Sequence, residues 1–372
     1  MRIALVHDHL IQEGGAENVL EVFQEIWPQA PTYTLLYDRK KLGEFFKDKD
    51  IRTSFLQNWP GALKHYQWFL PFMPSATESY DLMQYDLVIS SSSAMAKGII
   101  TRTNTLHFCY CHTPTRYLWS DTHRYLEELK YSRLIKKFIP HILTKLRAWD
   151  QIAAQRPDYF IANSKDVAGR IRKYYRRDSI VIHPPVETDR FKIADKIDKY
   201  FLTGGRLVAY KKFDLAIKAF NRLGIPLRIF GAGPEEKNLK ALAKGNIEFL
   251  GKISREDLAK NYSQAIAFIN PQIEDFGITA VESMASGRPV IAFSAGGACE
   301  TIAENKTGKF FDEQSWEALA DAVVRFKPEN FDPKTIKAYA EQFGVDRFKN
   351  QIKNLVDLEV EKRKKEQIKC GF

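Results

Sequence analysis

Short runs of apolar residues bounded by turn formers recur along the chain and alternate with stretches whose apolar positions repeat at helical spacing. Residues 3–6 are followed by a helical pattern from about Ala16. Runs at 87–90 and 106–109 come next, and residues 159–162 lead into a helical pattern from about Lys165. Runs that are apolar throughout, rather than alternating, belong to strands covered on both faces, so the pattern predicts a parallel sheet flanked by helices. The same grammar restarts with 201–202, 227–230, 247–250, 265–269 and 289–293, each followed by a loop and usually a helical pattern. Two doubly wound α/β units in tandem are the economical reading, over residues 1–188 and 189–345. Between them the apolar triplet Ile180-Val181-Ile182 runs into His183-Pro184-Pro185-Val186. Two prolines fit neither a helix interior nor a central strand, which places a hinge near 184–198. The last helical pattern, from about Val345 to Gln367, ends in a Lys/Arg-rich tail, and a helix of about 345–372 can pack back on the first unit.

Composition fits this division and narrows the partners. A chain of 372 residues, 44% hydrophobic and 13% aromatic, is long enough for two ordinary cores. Its 56 basic residues exceed its 46 acidic ones, a net charge of +10, which points to an anionic partner: a phosphorylated substrate, nucleic acid or an acidic lipid surface. Nucleic acid is disfavoured, because the aromatic and basic interleaving of an RNA-binding signature is missing. Cys109, Cys111, Cys299 and Cys370 offer neither a zinc ribbon nor a disulfide framework, so buried free thiols of a reducing compartment are expected and no metal. The opening Ile3-Ala4-Leu5-Val6 is too short for a signal-peptide core, and no run approaches the ~20 apolar residues of a membrane span. A cytoplasmic protein is expected, soluble or peripheral at the inner face of the membrane. Residues 130–147 mix basic and bulky apolar side chains at helical spacing, so the helix either packs on its own domain or rests a basic face on anionic lipid or an anionic acceptor.

Ligands of open α/β sheets bind at the carboxyl ends of the strands, so the loops that follow the strands are where chemistry is sought. After the first run come His7-Asp8-His9 and Gly14-Gly15, the latter just before a helix whose free N–H groups could face phosphate. Arg206 and Lys211 straddle a turn after 201–202 and could grip a diphosphate from two directions, although spacing alone reads as a solvated charge pair. Gly231-Ala232-Gly233-Pro234-Glu235-Glu236 begins like a dinucleotide fingerprint, but Glu236 occupies the third glycine position, which disfavours a nicotinamide-dependent dehydrogenase. The richest loop runs from Asn270 to Gly287. A turn carries Glu274, Gly277 opens a helix, and Glu282 sits about one turn inside it. Backbone N–H groups at Phe276, Gly277, Ile278 and Thr279 could receive phosphate, leaving the carboxylates to accept hydrogen bonds from sugar hydroxyls. A carboxylate between Val281 and Met284, on a face that should be buried, is costly unless a ligand or partner satisfies it.

In its paired glutamates, Glu274 and Glu282, the chain resembles the retaining glycosyltransferase family 4 of GT-B fold. Gly14-Gly15, His112-Thr113-Pro114, Asn163-Ser164, Arg206 with Lys211, and Gly296-Gly297 followed by Glu300 extend the resemblance along nearly the whole chain. It implies two Rossmann-like domains facing across a cleft, the first binding acceptor and the second a nucleotide sugar. Carried over, Glu282 would bind the ribose, and Glu274 the transferred sugar with amides of Phe276, Gly277 and Ile278. Arg206 and Lys211 would hold the diphosphate as it leaves. Gly15 would approach phosphate or acceptor, His112 would lie near the anomeric carbon, and Gly231, Gly233, Lys252 and Ile253 would line the base. The family retains anomeric configuration through a front-face mechanism and needs no metal or cofactor. The wording around Cys111–Trp119 and Glu274–Ile278 is most similar to WbaZ-like bacterial mannosyltransferases of surface-polysaccharide biosynthesis, which implies GDP-mannose as donor and a glycan or lipid-linked acceptor. The alternatives are a UDP- or dTDP-sugar donor, or a GT-B nucleotide-sugar epimerase.

Overall fold

The computed structural model describes residues 1–123, 126 and 133–369; Cys370 and residues 130–132 of the basic stretch lie outside the described residues. The chain divides into two compact units, Met1–His183 with Lys349–Phe372, and Pro184–Phe348.

The first unit is built on a sheet of β1 (Ile3–His7), β2 (Thr32–Thr34), β3 (Ile51–Thr53), β4 (Leu87–Ser92), β5 (Leu106–Cys111), β6 (Tyr159–Ala162) and β7 (Ile180–Val181). Their order is β3-β2-β1-β4-β5-β6-β7, and every neighbouring pair is parallel. Ala4, Val6 and Val88 on the central strands pack with Tyr33, Tyr80 and Leu82, while Cys109, Phe160 and Ala162 face Val167, Ile171 and Tyr175. The second unit has β8 (Phe201–Gly204), β9 (Leu227–Phe230), β10 (Ile247–Gly251), β11 (Phe268–Asn270), β12 (Val290–Phe293) and β13 (Gly308–Phe311). These run β10-β9-β8-β11-β12-β13, again all parallel. One cluster that includes Leu202, Phe220, Phe268, Val281, Met284 and Ile291 fills its interior.

Both sheets are therefore doubly wound, and the winding reverses between β1 and β4 in one and between β8 and β11 in the other. Loops on the two sides of such a reversal diverge and leave a crevice at the strands' carboxyl ends.

Three strands carry no apolar run and are not among the expected ones. In β2, Thr32 and Thr34 are fully buried because their hydroxyls are bonded, Thr32 receiving a 2.7 Å hydrogen bond from Gln24 Nε2 and Thr34 donating to the Leu36 carbonyl. β3 and β13 lie at sheet edges, where short, partly polar strands are the rule. The run expected at 265–269 starts later, at Phe268, because Ala265 ends the preceding helix Arg255–Gln264. Likewise the run expected from 289 begins at Val290.

Of the cysteines, Cys109 and Cys111 are buried free thiols, whereas Cys299 is free but exposed, which corrects the expectation that all would be buried. Among the described residues no helix is long and apolar enough to cross a membrane, and no group of three or more His, Cys, Asp or Glu is placed to hold a metal ion.

Candidate active site

The reversal between β8 and β11 brings together the two loops on which the sequence places most of the chemistry. The loop after β8 turns through a short 3-10 segment, Ala209–Lys211, before the helix Phe213–Leu223. The loop after β11 carries Glu274, and the Lys211 ammonium stands 2.8 Å from Glu274 Oε1 with both side chains largely buried, 13% and 15% exposed. Gln272 Nε2 donates to the same oxygen at 3.3 Å. The Glu274 carbonyl accepts from Gly297 N–H at 2.8 Å, so the loop after β12 braces the turn.

Gly277 then adopts φ +93° and caps the helix Ile278–Ala285. That left-handed conformation is open to glycine at little cost, and it aims the first N–H groups of the helix out of the turn that bears Glu274. Phe276 is buried with its ring edge on Phe343 and anchors the turn from below. The turn thus presents a carboxylate, a cation and a helix N-terminus at one sheet end, which suits a phosphorylated, hydroxyl-rich ligand.

Glu282 lies one turn further along this helix. The sequence places it on a buried face, where a ligand or partner must satisfy it; the structure leaves it only half-buried and supplies a partner from its own fold. Tyr262 donates its hydroxyl to Glu282 Oε2 at 3.0 Å. The tyrosine is fully buried among the rings of Phe191, Phe230 and Phe268, with centroids 5.9, 5.7 and 5.5 Å away, so its hydroxyl has little freedom. Burial pushes the Glu282 carboxyl up to about 7, against the Tyr262 hydrogen bond and the positive fields of Arg190, Arg255 and Lys211. Both arginines pair with Glu187, Arg255 at 3.7 Å.

The other residues expected to bind donor in this unit are placed as follows. Arg206 is exposed, on the same loop as Lys211. Gly231 has φ +102°, and a Cβ there would sit 1.9 Å from the Gly205 carbonyl oxygen; one at Gly233 would sit 2.3 Å from that of Leu207. These glycines thus let the loop after β9 lie directly on the loop that carries Arg206. Lys252 is exposed after β10, and Ile253 is half-buried against the core.

In the first unit the residues around the reversal between β1 and β4 form a buried polar cluster. Ser91 Oγ lies 3.0 Å from His7 Nδ1 and 2.8 Å from His112 Nε2, so one hydroxyl links two imidazoles. His7 Nε2 in turn is 3.8 Å from Glu17 Oε1, in the first turn of the helix Gly15–Ile26 that Gly15 opens. His112 is buried, and burial, with the field of His7, lowers its pKa to about 3, so it is a neutral imidazole able to donate or accept. Asn163 Nδ2 fixes the backbone there through the His112 carbonyl at 2.8 Å.

Asp8 is the keystone of this end. Its carboxylate accepts from four successive N–H groups, those of Ser93, Ala94, Met95 and Ala96, at 2.5, 2.8, 2.7 and 2.7 Å. Burial opposes its ionisation, yet the fields of His9 and His7 and these N–H groups outweigh burial and hold its pKa below the usual carboxylate range. Deeper in the same unit Lys97 pairs with Asp150 at 2.5 Å, and Thr115 Oγ1 and Trp119 Nε1 each donate to Asp150 at 2.8 Å.

Sequence reasoning did not find Tyr262, the role of Asp8 or the Lys97–Asp150 pair. A tyrosine in the polar stretch Arg255–Gln264 carries no local mark of its partner, whereas Asp8 beside two histidines was visible and lacked only its distant acceptor role.

Parallel doubly wound units define a class of proteins whose ligands bind in the crevice at the strand ends, where the second unit carries its cation and carboxylate pair. Comparison with known proteins narrows the class. Residues 185–343 match the family model "Glycosyl transferases group 1" and residues 29–190 match "Glycosyltransferase Family 4". The chain is 32% identical over 171 residues to a GDP-mannose-dependent alpha-(1-6)-phosphatidylinositol monomannoside mannosyltransferase of Mycobacterium tuberculosis, covering 38% of this chain and 44% of that protein. It is 28% identical over 179 residues to the D-rhamnosyltransferase WbpZ of Pseudomonas aeruginosa, covering 44% and 46% respectively. The chain thus spans under half the length of these curated relatives. In fold it is similar to Anabaena Alr3699/HepE, crystallised with UDP and glucose, with a TM-score of 0.70 at 18% identity over 96% of this chain and 99% of that one. Each part of the chain thus matches a glycosyltransferase family model, and the fold is that of the GT-B class.

Proposed function

We propose that the protein is a retaining glycosyltransferase that moves a hexose, mannose from GDP-mannose, onto a lipid-linked or oligosaccharide acceptor in surface-glycan assembly. The observation that carries this reading is the Lys211–Glu274 pair at the reversal of the second sheet, beside the N-terminus of the helix Ile278–Ala285. A diphosphate arriving there competes with Glu274 for Lys211, and the released carboxylate turns to the hydroxyls of the sugar. Arg206, exposed on the same loop, adds the second cation. In transfer, the bond from the anomeric carbon to the diphosphate oxygen breaks while the acceptor oxygen bonds on the same face. The acceptor proton passes to the leaving phosphate, whose charge Arg206 and Lys211 stabilise. Glu282 Oε1 is the oxygen available to ribose hydroxyls while Tyr262 holds Oε2. The match to a protein named as GDP-mannose-dependent supports mannose, and the D-rhamnosyltransferase match keeps another sugar nucleotide as the alternative.

The test is turnover with a panel of GDP-, UDP- and dTDP-sugars, in the wild type and in Arg206→Ala, Lys211→Ala and Glu282→Ala. Loss of either cation is expected to lower turnover by roughly 10²-fold or more, and Glu282→Ala to raise the donor KM. Unaltered rates in all three variants sink the site assignment. Release of nucleoside diphosphate only when acceptor is present separates transfer from epimerisation.

A further inference from the structure

Four buried side chains of the first unit stand in a row: Glu17, His7, Ser91 and His112. His7 ends β1, Ser91 is its register partner on β4, and His112 follows β5 directly, its N–H donating to the Ser92 carbonyl at 2.9 Å. Three neighbouring strands therefore bring three side chains to one level at their carboxyl ends. The links measure 3.8 Å from Glu17 Oε1 to His7 Nε2, 3.0 Å from His7 Nδ1 to Ser91 Oγ and 2.8 Å from Ser91 Oγ to His112 Nε2.

A serine hydroxyl has one proton, so Ser91 donates to one ring and accepts from the other. Glu17 decides which. It sits in the first turn of the helix Gly15–Ile26, where the backbone dipole favours negative charge. A carboxylate offers only lone pairs, so the His7 proton belongs on Nε2, the nitrogen that faces it. Nδ1 of the neutral ring is then an acceptor, and Ser91 donates to it. The Ser91 oxygen is left to accept, so His112 carries its proton on Nε2. The reverse order would set a bare His7 Nε2 against Glu17, acceptor to acceptor. Asp8 offers these rings no alternative, because its two oxygens are taken by four backbone N–H groups. The consequence falls on His112 Nδ1, a bare lone pair with no hydrogen-bond partner among the described residues.

We propose that Glu17, acting through His7 and Ser91, holds His112 in the Nε2–H tautomer, so that His112 Nδ1 accepts a hydrogen bond from a hydroxyl of the transferred sugar. The sugar half rests on the glycosyltransferase reading above, whereas the tautomer does not. Glu17, His7 and Ser91 are positioning residues, and His112 is the ligand contact. Burial, with the field of His7, lowers the His112 pKa to about 3, so the ring stays neutral and the choice of tautomer governs it at neutral pH.

The experiment is long-range proton–nitrogen correlation spectroscopy of the full-length protein carrying isotope-labelled histidine, at neutral pH. Each ring is assigned by the signals lost in His7→Gln and His112→Gln. Wild type is expected to show both rings as Nε2–H tautomers. Glu17→Gln should shift the ring nitrogens of His112, and in a Ser91→Ala background the same substitution should leave them unmoved, because the effect travels through the hydroxyl. His65, stacked on Trp68 at 4.5 Å outside the row, should keep its signals and report that the variants are folded. Sugar nucleotides deoxygenated or fluorinated at single positions test the ligand half. At the hydroxyl that meets His112 both changes should lower kcat/KM by roughly 3- to 10-fold, because fluorine cannot donate. A His112 proton on Nδ1, a doubly protonated His7, or His112 signals indifferent to Glu17→Gln each overturn the proposal. So does a fluorinated donor that turns over like its parent where the deoxy analogue fails, since His112 would then be the donor. Turnover of no sugar nucleotide at all removes the glycosyltransferase reading and the sugar half with it, while the spectra still decide the tautomer.

Discussion

Replacing Tyr262 by Phe removes one hydroxyl from an aromatic cage and leaves the packing with Phe191, Phe230 and Phe268 intact. Glu282 then loses the hydrogen bond that favours its ionised form, while burial continues to push its pKa up from about 7. A hydrogen bond to a charged group contributes about 1.5–3 kcal/mol, and one pKa unit is ~1.4 kcal/mol, so the variant's pKa should rise by about 1–2 units. At pH 7.5 the wild-type carboxyl is roughly three-quarters ionised and the variant's between about a quarter and ~3%. If the ionised form accepts the ribose hydroxyls, donor affinity at that pH falls roughly 3- to 25-fold and recovers near pH 10. Calorimetric titration of the donor across pH 6 to ~10 reads this directly, and kinetics should show a raised KM with kcat little changed. The stability consequence has the opposite sign. A carboxyl whose folded pKa is raised binds a proton that the unfolded chain has already released, so the empty protein loses stability as pH rises from 4.5 to about 7. Glu282→Gln should remove that slope. Identical pH midpoints for donor binding in wild type and Tyr262→Phe would refute the reasoning, because the hydrogen bond would then have no hold on the carboxylate.

Two further outcomes follow from the strand ends. Asp8→Asn turns an amide NH2 towards N–H donors that the carboxylate now satisfies, and should cost about 3 kcal/mol in urea unfolding at pH 7. Because the folded pKa of Asp8 is lowered, its stabilisation is present above the unfolded value of 3.8 and is lost as pH falls through the folded one, so the gap between wild type and variant should close in acid. Gly231→Ala forces φ +102° on an alanine and drives its Cβ into the Gly205 carbonyl, so it should lower the stability of the second unit by at least ~2 kcal/mol. A melting temperature equal to wild type would mean that the two loops part readily.

The sequence by itself determined the two parallel sheets, because strands buried on both faces must be apolar throughout, as in residues 87–90, 159–162 and 227–230. It also marked Glu274, Gly277 and Glu282, since a glycine-opened helix with a carboxylate inside is legible from neighbours in the chain. Edge and polar strands escaped it: Thr32 and Thr34 read as a loop until Gln24 and the backbone are seen to satisfy their hydroxyls. Only the tertiary structure decided who partners whom across long separations. Lys211 meets Glu274 because β8 and β11 are neighbours at the reversal of the sheet. Tyr262 reaches Glu282 from a separate helix, and Asp8 gathers four N–H groups from a loop more than eighty residues away. Periodicity is a local property that the backbone imposes every two or 3.6 residues. The ionisation of Glu282 and Asp8, and with it the chemistry of each strand end, is set by groups that only folding brings within hydrogen-bond reach.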